Sequence, residues 1–292
     1  MRHRLATLCL CLCGLYFSCK HVPQGQEGAL SLEGVAVELW TDGDMLFAWG
    51  QVEGHKARVV FSSVELGNTL TKNKHCAVGQ RTGKVLAAGE EREALRLRSW
   101  SVEGKALGSL EVALVEAPPA PTPSTWLRLR DGFAREGEDT PCVLVVGAKE
   151  MGALQMVFEK GRLQFEGASF VAAGERIRLE EHPQWGIPFG QCMALVKGEP
   201  VPLRLVLETG QWPSRLHERF WGGQSLAEED FSWEALRLSL ETALPAGNFE
   251  RGGAKLNRYW PWAEGSLGMG AFECCRFVWS PKEGAGVVTV LN

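Results

Sequence analysis

The chain has 292 residues, with 31 basic against 35 acidic side chains and a net charge of −4. No basic face or arginine-rich run stands out, so nucleic acid is not an expected partner. The length allows one large or two small domains.

Arg2, His3 and Arg4 precede an uncharged, mostly apolar run over residues 5–17. The run is shorter than the ~20 residues that a permanent helix needs to cross a bilayer. A charged start, a short apolar core and a small residue at the end have the layout of a secretory signal. The run closes on Leu15-Tyr16-Phe17-Ser18-Cys19. This resembles the lipobox of bacterial lipoproteins in its relaxed, spirochaete-like form: small Ser18 precedes Cys19, and Tyr16 and Phe17 are bulkier than the usual pattern. The resemblance implies a signal peptide over 1–18 and a diacylglyceryl group on the Cys19 sulfur. Several acyl chains on one residue anchor stably, where a single chain holds only marginally. The implied residence is the bacterial cell membrane or outer membrane, facing the periplasm or the surface. A plain secretory signal cut near Ser18 is the alternative.

Residues 19–32 are polar and glycine-containing, and read as a tether. Alternation then begins. Val35, Val37 and Leu39 alternate with Ala36 and Glu38, and 41–44 is turn chemistry. Residues 45–52 and 56–61 flank Glu53-Gly54 as a hairpin. A second hairpin follows over 94–100 and 110–115, with Glu103-Gly104 as a turn between. Trp49 to Gly54 and Trp100 to Gly104 share their wording, which points to one hairpin solution used twice. Residues 63–89 have weak period and many glycines, and are expected to be mostly loop. Pro118, Pro119, Pro121 and Pro123 make 118–124 a linker between a β-rich domain or half over 33–117 and another over 125–292.

In the second part, 126–130, 142–146, 154–159, 162–165, 176–180, 192–197 and 203–208 read as short strands, at about the spacing of a sandwich or barrel. Ser225 and Glu228 form a capping box, so a short helix near 225–232 is expected, with a strand after Trp233. Residues 272–279 and 287–291 close the chain as strands. The expected fold is mainly β: an antiparallel β-sandwich-like body, as one elaborated domain or two small ones, with minor helix.

Motifs for chemistry are sparse. The histidines show no H-x-H or H-x-x-x-H spacing and there is no C-x-x-C, so no metal site and no cofactor is expected. No G-x-S-x-G nucleophile turn and no P-loop is present. Gly265, Gly268 and Gly270 read as a loop. Beyond Cys19, five cysteines remain: Cys76, Cys142, Cys192, Cys274 and Cys275. Cys142 with Cys192 is conceivable as a bridge, and free buried cysteine is an equal alternative.

Eleven tryptophans stand against two tyrosines, and residues 248–265 concentrate rings around Pro261. Trp260 and Trp262 flank that proline and are the candidate ligand-binding residues, since flat rings beside polar groups suit sugars. Packing at the end of the core is the competing role. The order Ser232-Trp233, Leu244-Pro245, Arg251-Gly252-Gly253 and Tyr259 to Trp262 also resembles the formylglycine-generating-enzyme-like family. That family's next motif, G-N-V-W-E-W, is absent, and no site residue is carried over from it.

The expectation is an exported, membrane-anchored envelope lipoprotein with a non-catalytic ligand- or partner-binding role. Its partners would be the membrane, through the lipid, and a glycan or an envelope protein. A glycan-acting envelope enzyme and a structural subunit of an envelope assembly are the alternatives.

Overall fold

The computed structural model describes residues 32–65, 67–72, 79–87, 90–116, 141–152, 154–167, 175–183, 186–196, 199–217, 231–238, 249–251 and 262–290. The leader with Cys19, the proline-rich run 118–124, the helix start at 225–230 and Trp260 lie outside them.

In chain order, β1 (Ala36–Glu38) and β2 (Trp40–Asp42) lead into the hairpin of β3 (Met45–Val52) and β4 (His55–Ser62). Then come β5 (Thr69–Lys72), β6 (Gln80–Ala87), β7 (Glu90–Leu97), β8 (Trp100–Val102), β9 (Lys105–Leu107) and β10 (Leu110–Glu116). β11 (Cys142–Gly147) passes through one helical turn, α1 (Ala148–Met151), into β12 (Gln155–Glu159) and β13 (Arg162–Glu166). β14 (Glu175–Arg178), β15 (Glu180–Glu181), β16 (Pro188–Val196), β17 (Glu199–Glu208), β18 (Ser214–Leu216), β19 (Phe231–Leu238), β20 (Phe249–Arg251) and β21 (Gly265–Gly268) follow. A 3-10 turn (Met269–Phe272), β22 (Cys275–Ser280), a second 3-10 turn (Pro281–Glu283) and β23 (Ala285–Val290) end the described chain.

The body is mainly β and sandwich-like, as the alternation in the sequence leads one to expect, with some parallel pairs among the antiparallel ones. The first sheet runs β6-β7-β10-β5-β11-β4-β3-β8-β9, with β2 on β3. The second runs β15-β16-β17-β21-β18-β20, with β19 on β16. β11, which follows the proline-rich run, lies between β4 and β5 in the first sheet, parallel to β4.

These two sheets share a kernel. In the first it is β4-β11-β5-β10, with parallel, antiparallel and parallel pairings. In the second it is β17-β21-β18-β20, with the same three senses in the same order. A third sheet, β1-β13-β12-β22-β23-β14, joins the halves. It is a palindrome: an edge strand and a hairpin from one half meet a hairpin and an edge strand from the other, through the antiparallel β12–β22 pair. An approximate two-fold therefore runs between β12 and β22. Leu39 N donates to Gly161 O (2.8 Å) and Leu179 N to Gly284 O (3.1 Å), the same bond at each end of that sheet.

Alternation explains the halves' packing. On β3, Leu46, Ala48 and Val52 go to one core with Val59 and Phe61 of β4, while Gln51 is exposed. Glu53-Gly54 and Glu103-Gly104 both have positive φ at the two turn residues, 48°/82° and 45°/78°. Such two-residue links follow the right-handed twist of the strands. The shared wording noted in the sequence has a direct use: β3 and β8 pair with each other, Val52 opposite Trp100.

Two sequence expectations need correction. Residues 63–89, expected to be mostly loop, hold two strands, β5 of 4 residues and β6 of 8 residues; β6 is a polar strand held by pairing with β7 rather than by burial. Gly265 to Gly268 is a strand, not a loop. Its four residues are all buried, and small residues are what its close neighbours admit. A Cβ on Gly265 would stand 2.2 Å from Arg215 O.

Candidate functional site

β4 and β17 each end at the two-fold axis, and the loops that follow them cross. Ser63 N donates to Thr209 Oγ1 (3.0 Å), and Thr209 N donates to Ser63 Oγ (3.1 Å). Each hydroxyl then donates across the axis to the end of the partner strand: Ser63 Oγ to Leu207 O of β17 (2.5 Å) and Thr209 Oγ1 to Phe61 O of β4 (2.8 Å). All four bonds are buried, and they knit the halves at one point. A hydroxyl is needed at both positions, because only a side chain that both accepts and donates can serve the facing amide and carbonyl.

The residues just before this pair are Ser62 and Glu208, 4% and 3% exposed. Ser62 Oγ accepts from Val64 N (3.4 Å) and Glu65 N (3.2 Å), closing its own loop. Strand alternation puts Arg58, Val60 and Ser62 on one face of β4, and Arg204, Val206 and Glu208 on one face of β17. Farther out, the equivalent residues find partners on different elements. Arg58 pairs with Asp42 (2.6 Å) and Arg204 with Glu264 (3.3 Å). Phe47 meets Trp49 edge-on at 5.0 Å, and Phe189 meets Trp262 at 5.2 Å.

The loops also exchange cores. Gly210 lies over the first half, where a Cβ would be 2.8 Å from Val60 Cγ1. Val64 packs on the cluster of Ile187, Phe189, Val206 and Ala263 in the second half. Behind each loop a glycine passes at close quarters. Gly147 N donates to Asn68 Oδ1 (3.0 Å), and Gly268 N donates to Ser214 Oγ (3.1 Å). Their backbones coincide, with φ −84° and ψ 168° at Gly147 and φ −84° and ψ 167° at Gly268.

Sequence reasoning missed this centre. The available signal was Val59-Val60-Phe61-Ser62-Ser63 against Leu205-Val206-Leu207-Glu208-Thr209: three apolar residues, a polar one, then a hydroxyl, separated by 146 positions. Of the two tryptophans singled out, Trp262 is half-buried and packs on that Ile187 cluster, its ring 4.6 Å from His182. It thus shares a cluster with Val64 of the crossing loop. Among the described residues no three His, Cys, Asp or Glu side chains converge as a metal site.

Cys142 is disulfide-bonded, so it is not a free core cysteine. Cys274 is free and exposed, and Cys275 is free and buried. Burial, and secondarily the neighbouring Cys274, push the Cys275 thiol above its ordinary pKa.

No family model and no curated protein matches the sequence. Solved structures do match in fold. An aspartic proteinase from Irpex lacteus aligns with TM-score 0.50 at 8% identity, over 89% of this chain and 98% of that one. Basic 7S globulin from soybean aligns with TM-score 0.46 at 12% identity, over 88% and 96%. At such identity the proteinase likeness concerns the fold alone: two β halves about an approximate two-fold, with the crossing loops at its centre.

Proposed function

We propose that the protein is an exported bacterial lipoprotein, anchored to the cell envelope through Cys19, whose body binds a ligand or partner without catalysing a reaction. The observation that carries the non-catalytic part is the unlike pair at the axis, Ser62 and Glu208. Aspartic proteinases work with two aspartate carboxylates that sit so close that they share one proton. Two groups that near, one from each half, belong where the halves cross. This chain has one carboxylate and one hydroxyl beside the crossing, and a serine cannot share a proton as a carboxylate does. What is kept instead is the frame: the cross-loop bonds of Ser63 and Thr209, and the close-approach glycines. A fold kept rigid at its centre, with the centre's acid pair replaced, suits recognition.

The disulfide at Cys142 supports export, because such bonds persist in oxidising compartments. In this reading the lipid on Cys19 is the anchor. Metabolic labelling with a fatty acid tests residence. The wild type should take up label and fractionate with membranes, and Cys19→Ala should do neither. Equal labelling of both would remove the anchor.

A further inference from the structure

Cys142 is bridged, and the place of β11 in the sheet decides to what. Of the cysteines beyond Cys19, Cys274 and Cys275 are free, which leaves Cys76 and Cys192 as partners. Neither of those two side chains is among the described ones, so the backbone around Cys142 carries the choice. Cys142 is the first residue of β11 and is buried. Both neighbours of β11, β4 and β5, belong to the first sheet. On the β4 side Cys142 is in register with Ala57. On the β5 side Leu144 stands opposite Leu70 and Val145 opposite Thr69, an antiparallel register that brings Lys72 opposite Cys142. Lys72 ends β5. Residues opposite each other in such a pair have Cα atoms about 5 Å apart. Cys76 follows Lys72 by four residues, so it lies within about 14 Å of it even at full stretch. A bridge needs Cα atoms within about 7 Å, and that requirement falls inside the reach of the chain after β5.

Cys192 has no such reach. It stands on β16 in the second sheet, opposite Leu203 of β17 and Leu238 of β19. Leu203 is five residues before the end of β17 at Glu208, and Ala57 is five residues before the end of β4 at Ser62. At about 3.3 Å per residue, each cysteine sits about 16 Å back from the crossing, in its own sheet. Among the described residues, the bonds between β4 and β17 and their loops fall at the crossing, on Phe61, Ser63, Leu207 and Thr209, and do not run back along the strands.

We infer that Cys142 is bridged to Cys76, and that this bridge latches β11 into the first sheet once the chain has been exported. β11 is the strand that returns after the proline-rich run and inserts between two strands of earlier sequence, parallel to β4. The insertion closes a long loop, and a cross-link across a long loop removes much freedom from the unfolded chain. The bond forms by exchange with a disulfide-bearing oxidant of the export compartment. The thiolate of one cysteine attacks the oxidant's disulfide and expels one of its thiolates. The thiolate of the other cysteine then attacks the mixed disulfide and expels the second. The two thiols give up two protons and two electrons, and the oxidant leaves as a dithiol. In a reducing cytoplasm the latch stays open. Cys192 is left, like Cys274 and Cys275, outside any bridge within the chain. The inference rests on the lipoprotein reading only in setting aside Cys9, Cys11 and Cys13, which leave with the leader, and Cys19, which is acylated.

The test counts thiols in urea without reductant, on the mature chain carrying Cys19→Ser and exported behind an ordinary secretory signal. Five cysteines remain in it, so one bridge leaves three thiols. Cys76→Ser should show four, because Cys142 loses its partner, and Cys192→Ser should show two. Two thiols in Cys76→Ser with four in Cys192→Ser, or five in the parent chain, overturns the assignment. Should Cys76→Ser fail to accumulate, the parent chain answers alone. Non-reducing proteolysis and mass spectrometry should give one linked pair of peptides, holding Cys76 and Cys142, and a link from Cys142 to any other cysteine overturns the inference. Reduction should lower the urea midpoint of the parent and of Cys192→Ser alike and leave that of Cys76→Ser in place; an unmoved parent midpoint removes the latch. The readout involves neither acylation nor binding, so its failure is distinct from failure of the anchor or of the binding reading.

Discussion

The loop after β4 and the loop after β17 carry the same backbone bonds on different side chains. Ser63 and Thr209 swap donors and acceptors at matched positions, and Asn68 and Ser214 hold matched glycines. One place further in, the match stops: Ser62 stands against Glu208. The difference separates two demands. Positions whose atoms hold the crossing accept only residues that make those bonds. The position just before them is set differently in each half: Ser62 closes its own loop through two amides, and Glu208 places a buried carboxylate there.

The largest expected effect probes the matched part. A Cβ on Gly147 would stand 2.5 Å from Gly67 O, and one on Gly268 would stand 2.4 Å from Pro213 O. Both obstacles are backbone and cannot swing aside. Gly147→Ala and Gly268→Ala should each lower stability by about 3 kcal/mol or more, seen as a fall in the urea midpoint. A large loss in one half and none in the other would break the equivalence.

Next come the crossing hydroxyls. Ser63→Ala strands Thr209 N and Leu207 O, and Thr209→Val strands Ser63 N and Phe61 O. Each should cost about 2–3 kcal/mol, since buried groups lose their partners. The double variant should cost clearly less than the sum, because the four bonds form one network. Additive losses would show that the two loops stand independently.

A smaller effect concerns pH. The Cys275 thiol has a raised pKa in the folded chain, through burial first and Cys274 second. A raised pKa favours the folded state fully below the ordinary thiol range and loses that contribution as pH climbs through the raised value. Thermal melts should therefore fall between those two values in the wild type, and fall less in Cys275→Ala. In the native protein a maleimide should label exposed Cys274 and leave Cys275 unlabelled until the chain unfolds. Smallest of all, Asp44→Asn removes the ion pair with Arg215. It should cost less than about 1 kcal/mol, and the difference from wild type should fade in high salt, because Asp44 is 54% exposed.

How far the sequence discloses this design depends on what holds each element. β13 alternates apolar and polar residues because one face is buried, β3 and β11 are almost continuous apolar runs, and all three were legible at nearly their observed bounds. β6 was not: Gln80, Arg81, Thr82, Gly83 and Lys84 are exposed, and its place depends on β7. β21 was hidden for the opposite reason, since Gly265, Ser266 and Gly268 are small to fit a crowded interior rather than to make a turn. The centre was beyond reach of periodicity. Its bonds join residues 146 positions apart, and no local pattern announces that Ser63 faces Thr209. Trp262 was legible as a notable residue, but its ring neighbours His182 and Phe189 lie some eighty positions earlier in the chain, and the cluster it shares with Val64 draws on both halves.

The unlike pair at the axis is tested most directly by hydrolysis of an unfolded protein substrate by the mature chain, from acid to neutral pH, beside Glu208→Gln. The account predicts no cleavage above background from either protein at any pH. Cleavage by the wild type that disappears in Glu208→Gln would contradict it, and would place a working acid at the point where the two halves cross.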